Sequence, residues 1–212
     1  MLKKNCHLSF AALLLGLLLA ACGRERDTVV PDAQYQDGFP LAVGNYWIYR
    51  TTATYYNGHK QIFNTVDSVW IEKDTVVDGK RVFVQKSTYY PNLKIYLRDS
   101  AGCIISNLLQ YQSIVFSTNL RDTLEHRPPF YVMMLDADQQ TRVWAGTFRT
   151  VNCMTLLRMD ADGHEHHNQP MYDRHFMINE QKRYANRVGM VKRVTYFHGN
   201  TIENDLVRYH VR

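Results

Sequence analysis

Apolar and polar residues alternate in short runs along most of this chain, and residues suited to tight turns cut the runs at fairly even intervals. In the stretch 93–99, Leu93, Ile95 and Leu97 fall on one side and Lys94, Tyr96 and Arg98 on the other. That is the two-residue period of a half-buried strand. The stretch 82–87 is looser, setting Val82 and Val84 against Phe83 and Gln85. Asn57-Gly58 and Asp78-Gly79 suit the positive φ of type I′ hairpin turns. Pro91-Asn92, Ala101-Gly102, Asp162-Gly163 and Gly199-Asn200 are further break points. The pattern predicts strands over about 45–56, 61–73, 81–90, 93–99, 103–109, 130–136, 142–159, 171–178, 188–198 and 201–211. No long stretch has an apolar stripe at helical period; residues 119–127 and 179–187 are expected as short helical turns. Many short strands with glycine turns define an all-β fold, a single antiparallel curved sheet. Closure into a barrel or half-barrel removes the exposed edges that invite aggregation.

The first residues follow another pattern. Lys3 and Lys4 precede an uncharged, mostly apolar stretch from Phe10 to Ala21. A membrane-spanning helix needs roughly 20 apolar residues, whereas about 10–14 suit the core of an export signal. Small residues at Ala20 and Ala21 fit the cleavage site such a signal carries. Leu19-Ala20-Ala21-Cys22 resembles the bacterial lipobox. The resemblance implies removal of residues 1–21, a diacylglycerol on the Cys22 thiol and an acylated new amino terminus. Each buried methylene contributes about 0.8 kcal/mol, and two or more chains anchor stably where one does not. Gly23 stands where an aspartate would favour inner-membrane retention under the enteric sorting rule, so the outer membrane is expected, with its face left open. Residues 22–38 read as the lipidated cysteine and a polar tether containing Pro31 and Gly38. A coil of about 16 residues reaches roughly 20–25 Å. Residues 39–212 are the expected β domain.

Within that domain, "FPLAVGNYWIY" (39–49), "VWAGTFRTVNC" (143–153) and "YANRVGMVKRV" (184–194) resemble the signposts of a family of bacterial outer-membrane lipoproteins with no established activity. The resemblance implies architecture, a curved antiparallel sheet similar in outline to lipoprotein carriers, and transfers no catalytic residue. The same residues also have structural readings. Gly44-Asn45 is a turn leading into a strand, and Gly146 and Gly189 mark bulges or bends.

Composition narrows the function. The chain has 212 residues with 25 Lys+Arg against 20 Asp+Glu, and loss of Lys3 and Lys4 leaves 23 against 20, about +3. The charges are interspersed, unlike a nucleic-acid footprint, which gathers basic residues on one face. Once Cys6 leaves with the signal and Cys22 carries lipid, Cys103 and Cys153 remain. They can pair as a disulfide in an oxidising compartment or stay separate, and strand geometry seldom meets the requirements of a bridge.

Metal chemistry has one candidate stretch, 162–175, with His164, His166, His167 and His175 beside Glu165 and Asp173. The zinc-protease spacing fails because position 168 is Asn, and Asp160 and Asp162 with Gly163 place the glycine too early for a calcium loop. An exposed polar hairpin loop explains the stretch equally. No nucleophile elbow or glycine-rich phosphate loop is present. No cofactor and no catalytic residue is therefore expected. Seven methionines (Met133, Met134, Met154, Met159, Met171, Met177 and Met190) and many aromatic residues suit either a core or an apolar cavity. Arg50, Lys86 and Arg193 are candidates to meet an anionic headgroup at a cavity mouth. Two non-catalytic readings follow: binding or carrying a lipid-like ligand, or serving as an accessory subunit with an envelope protein partner. An empty concave side favours the first and a filled one the second.

Overall fold

The computed structural model describes residues 39–108, 111–118, 123–127, 129–159, 170–173 and 175–212. Among them every regular element is a strand. Thirteen strands form one antiparallel sheet: β1 Tyr46–Thr54, β2 Lys60–Val77, β3 Lys80–Ser87, β4 Ile95–Ser100, β5 Cys103–Leu108, β6 Tyr111–Ser117 and β7 Thr123–Arg127, then β8 Phe130–Val143, β9 Gly146–Arg158, β10 Met171–Asp173, β11 Phe176–Ala185, β12 Gly189–Phe197 and β13 Asn200–His210. The spatial order is β6-β5-β4-β3-β2-β1-β13-β12-β11-β9-β8-β7, with β10 paired to β11. The edges, β6 and β7, are consecutive in the chain and approach each other, the Ile114 amide donating to Glu125 at 3.4 Å. The sheet is thus a nearly closed barrel. Register shifts on most strand pairs supply the bulges that let it coil so tightly.

Turn chemistry places the hairpins. Asp78 (φ 50) with Gly79 (φ 72), Ala101 (φ 52) with Gly102 (φ 82) and His198 (φ 47) with Gly199 (φ 75) each join two strands through paired left-handed residues. The last turn falls one residue before the expected Gly199-Asn200.

Alternation decides the interior. Trp47, Tyr49, Thr51 and Ala53 of β1 are buried while their neighbours are half-buried. Trp47 and Tyr49 share one core cluster with Ile71, Phe83, Leu97, Ile104 and Phe116 on one flank and Tyr184, Val191 and Leu206 on the other. Trp47, Phe116, Val191 and Leu206 are no more than 2% exposed. Burying a side chain of this size stabilises by roughly 1.5–3 kcal/mol. The rings of Phe116 and Tyr184 stand edge to face at 5.2 Å. A second, smaller cluster of Met154, Leu156 and Ile178 packs on the other side of β9 and β11.

One seam of the barrel opens. β12 and β13 pair from Lys192/Asp205 to Phe197/Asn200, and the start of β12 has no β13 partner. Side chains take the carbonyls there: the Trp47 indole donates to Val188 O at 2.6 Å and the Tyr49 hydroxyl to Met190 O at 2.8 Å. On the β13 side, the Ala145 amide at the tip of the β8–β9 hairpin donates to Leu206 O at 2.9 Å.

Several expectations are corrected. Residues 179–185 lie in β11, and 123–127 form β7, so neither is a helical turn. The run 142–159 is two strands divided at Trp144-Ala145, and β6 has no counterpart in the sequence pattern. Of the two readings left open for the cysteines, the structure has the separate thiols: Cys103 lies against Ser117 Oγ at 3.3 Å, while Cys153 is buried in β9 opposite Met134 and Lys182. The signal segment, Cys22 and the tether 23–38 lie outside the described residues.

Candidate functional site

Side chains fill the described core of the barrel: Trp47, Tyr49, Phe116, Tyr184, Val191 and Leu206 are all buried. Above the apolar layer lies an ionic one. Glu180, brought inward by the bulge after Ile178, contacts Lys182 of its own strand and Arg193 of β12. Burial alone would raise the Glu180 carboxyl, but the charges of Lys182 and Arg193 outweigh it and hold the group below the ordinary carboxylate range. Asn204 donates to Thr51 Oγ1 at 2.8 Å in the same layer. Burial pushes the Cys153 thiol up to about 11, with Lys182 pulling weakly the other way. It also raises the Tyr184 hydroxyl. At neutral pH Cys153 is a neutral core thiol, the opposite of an activated nucleophile.

A cleft of about 680 Å³ opens at the end of the barrel where the chain enters. Its floor is apolar, built from Phe83, Ile104 and Phe116 of the sheet and Phe39 and Leu41 of the lead-in segment. Its rim carries Asp99, Thr118, Arg187 and Arg212. Asn45 holds this end together. It is fully buried, its Nδ2 donates to Pro40 O at 3.0 Å, and its Oδ1 accepts the Arg212 amide at 3.0 Å. Its backbone bonds Ile71, whose carbonyl also accepts the Gly44 amide. The Gly44-Asn45 pair is therefore a clamp: Gly44 turns the chain at φ 88 and Asn45 ties lead-in, β2 and chain end together. Gly189 (φ 91) lets the turn before β12 press on Trp47, where an added Cβ would sit 3.4 Å from the indole nitrogen.

The residues singled out from the sequence scatter. Arg50 stacks on Trp144 at 4.8 Å, Lys86 pairs with Glu72 at 2.5 Å, and Arg193 serves Glu180, so the three do not converge on a cavity mouth. His164, His166 and His167 lie outside the described residues. His175 sits in the β10–β11 turn, where its amide donates to Asp173 Oδ1 at 2.7 Å. Among the described residues no group of three or more His, Cys, Asp or Glu is placed to hold a metal. Of the methionines, Met134, Met154 and Met177 are buried core, while Met171 is exposed. A further groove of about 440 Å³ runs along β8, β11, β12 and β13, and its Lys192 and Glu203 are paired with each other at 2.6 Å. Arg187 and Arg212 escaped the sequence reading. The turn at 186–188 between two strand-like runs was the available signal.

These features define a nearly closed antiparallel barrel with a packed interior and a cleft at one mouth. No protein-family model matches the chain, and no curated protein matches it. Two solved structures are similar in outline. One is a presumed exported protein with a YmcC-like fold from Bacteroides fragilis, at 10% identity, covering 82% of this chain and 99% of the other, with a TM-score of 0.49. The other is a presumed lipoprotein from Parabacteroides distasonis, at 10% identity with the same coverage and a TM-score of 0.48. Likeness of this degree is one of outline and assigns no function.

Proposed function

We propose that this chain is the precursor of a lipoprotein held in the outer membrane by acyl chains on Cys22, and that its barrel is a non-catalytic recognition module of the cell envelope. The observation that carries the reading is where the cleft lies. It opens beside Phe39 and Leu41, in the segment that leads into β1. A carrier that encloses a chain inside its barrel is disfavoured, because Trp47, Phe116, Tyr184, Val191 and Leu206 occupy that space. The non-catalytic reading draws on the state of the reactive groups, Cys153 neutral and buried and Glu180 engaged by two cations.

The test is site-specific photocrosslinking in a diderm bacterial host. A photoreactive residue at Thr118, on the cleft rim, should give discrete adducts with an envelope component, lost when Cys22→Ala frees the protein from the membrane. The same probe at Val77, on the β2–β3 hairpin, should give none. Adducts equal at both positions, or unchanged by Cys22→Ala, would refute the proposal.

A further inference from the structure

We infer that the groove between the β8–β9 hairpin and the outer face of β11, β12 and β13 binds an extended peptide, which pairs as an added strand with a free edge of β8. The groove shares no lining residue with the mouth cleft.

The edge comes from an irregularity in β8. β7 accompanies β8 only over Phe130–Met133. Between Leu135/Asn152 and Gln139/Thr150 the register slips, so that three residues of β8 face Val151 alone. Asp138, inside this bulge, has a left-handed backbone (φ 65) that a non-glycine residue seldom takes, and its carboxylate meets Arg149 at 3.4 Å. A bulge of this kind bends the strand it interrupts. Past it, Gln139 to Val143 pair with β9 on one side and with no strand among the described residues on the other. Gln139 O accepts the Thr150 hydroxyl at 3.1 Å, so the polar backbone groups of Gln139 face β9. Successive residues of an antiparallel strand turn their N–H and C=O groups to opposite sides, which directs those of Gln140 and Arg142 to the free edge.

That edge borders the groove. Four consecutive residues, Gln139 to Arg142, line it, whereas β11 and β12 lend alternate ones, Gln181 and Arg183, then Lys192, Val194 and Tyr196. A strand that lends every residue presents its edge, and strands that lend every second residue present one face. The volume is about 440 Å³. Spread along four residues at about 3.4 Å each, it suits a single extended chain and is too narrow for the hairpin of a second copy. The wall is fixed at its tip, where the Ala145 amide donates to Leu206 O at 2.9 Å and Arg50 stacks on Trp144 at 4.8 Å. No proline interrupts 139–142 to block pairing. In strand addition, main-chain bonds supply affinity and alternate side chains supply specificity. The floor here is polar, with Lys192 bound to Glu203 at 2.6 Å and Tyr196 half-buried, so the peptide side chains that face it are small and polar.

Phage-displayed random decapeptides, selected on the mature chain carrying Cys22→Ser and otherwise complete, supply the probes. Selected peptides should bind one to one in titration calorimetry. N-methylation, moved along the peptide one residue at a time, should weaken binding about tenfold at every second position and little at those between. Gln140→Pro removes an amide that β9 does not use, so the melting temperature should hold while binding falls about tenfold or more. Gln140→Ala keeps that amide and should bind within about threefold of the parent. Failure to select any peptide would overturn the inference, as would an N-methyl series without a two-residue period. Parental binding by a folded Gln140→Pro variant would do the same. So would a dimer in sedimentation velocity that Gln140→Pro abolishes, since the edge would then belong to a second copy. If Gln140→Pro unfolds the chain, the N-methyl series still decides. None of these results depends on the mouth cleft or on lipidation at Cys22, so they are separable from failure of the envelope reading.

Discussion

Replacing Glu180 by glutamine tests the ionic layer inside the barrel. The side chain keeps its size and one acceptor oxygen, but the charge facing Lys182 and Arg193 is gone. Breaking a fully buried ion pair costs about 3–5 kcal/mol, because the surviving charge is left without compensation. Here the side chains of Glu180, Lys182 and Arg193 are 10%, 22% and 45% exposed, so water reaches Arg193 and part of the loss is screened. The expected cost at pH 7 is about 2–3 kcal/mol, which lowers a urea midpoint by roughly 1–1.5 M at an ordinary slope. The dependence on pH is more diagnostic. The folded Glu180 carboxyl titrates below its unfolded value, so its contribution is complete above about pH 4.3 and fades as pH falls through the folded value. Urea unfolding of parent and Glu180→Gln from pH 7 to pH 3 should show a gap that closes on acidification. A gap under about 0.5 kcal/mol at pH 7, or one that stays constant to pH 3, would refute the reasoning.

Other parts of the structure make their own predictions. Cys153 titrates near 11 when folded and near 8.5 when unfolded, so the unfolded chain loses its proton first and stability falls as pH rises above about 8.5. Cys153→Ala should remove about 2 kcal/mol of the decline between pH 8 and pH 10, and an alkaline limb identical to the parent's would contradict the buried neutral thiol. Asn45→Ala deletes two hydrogen bonds at a fully buried position and should cost about 2–3 kcal/mol in chemical denaturation. A loss under about 1 kcal/mol would mean that the clamp is not a clamp. Gly79→Ala places a methyl group in open space at φ 72, so its cost is conformational alone, about 1 kcal/mol. A much larger thermal shift would point to a contact that the hairpin does not make.

How far the fold could be read from the chain depended on local chemistry. Asp78-Gly79 announced its turn because few other pairs tolerate two consecutive positive φ angles, and Ala101-Gly102 did so through its glycine alone. Ile95 and Leu97 showed β4 because nothing interrupts the two-residue period there, while Leu93, expected with them, precedes the strand. β11 hid itself: its inward positions include Glu180 and Lys182, ions that satisfy each other along the strand, so the expected apolar alternation is missing and "NEQKRYANR" resembles a helical turn. The bulge after Ile178 shifts the period once more. β6 was missed because Ile114, Val115 and Phe116 are apolar without alternation, opposite a register shift at Ile104/Ile105. The break at Trp144-Ala145 lacks the usual turn residues before Gly146. The cleft was illegible for a different reason. Its floor and rim come from segments near 40, 83, 100, 117, 187 and 211, which only barrel closure brings together. The basic residues that stood out, Arg50, Lys86 and Arg193, were already committed to Trp144, Glu72 and Glu180.

The proposed placement of this barrel at a membrane turns on a single sulfur atom, that of Cys22. Intact-mass measurement of protein extracted from the membranes of its native host should find a chain that begins at Cys22 and is heavier than residues 22–212 by a diacylglyceryl group and an amide-linked acyl chain. A chain of unmodified mass, or one that still starts at Met1, would contradict it.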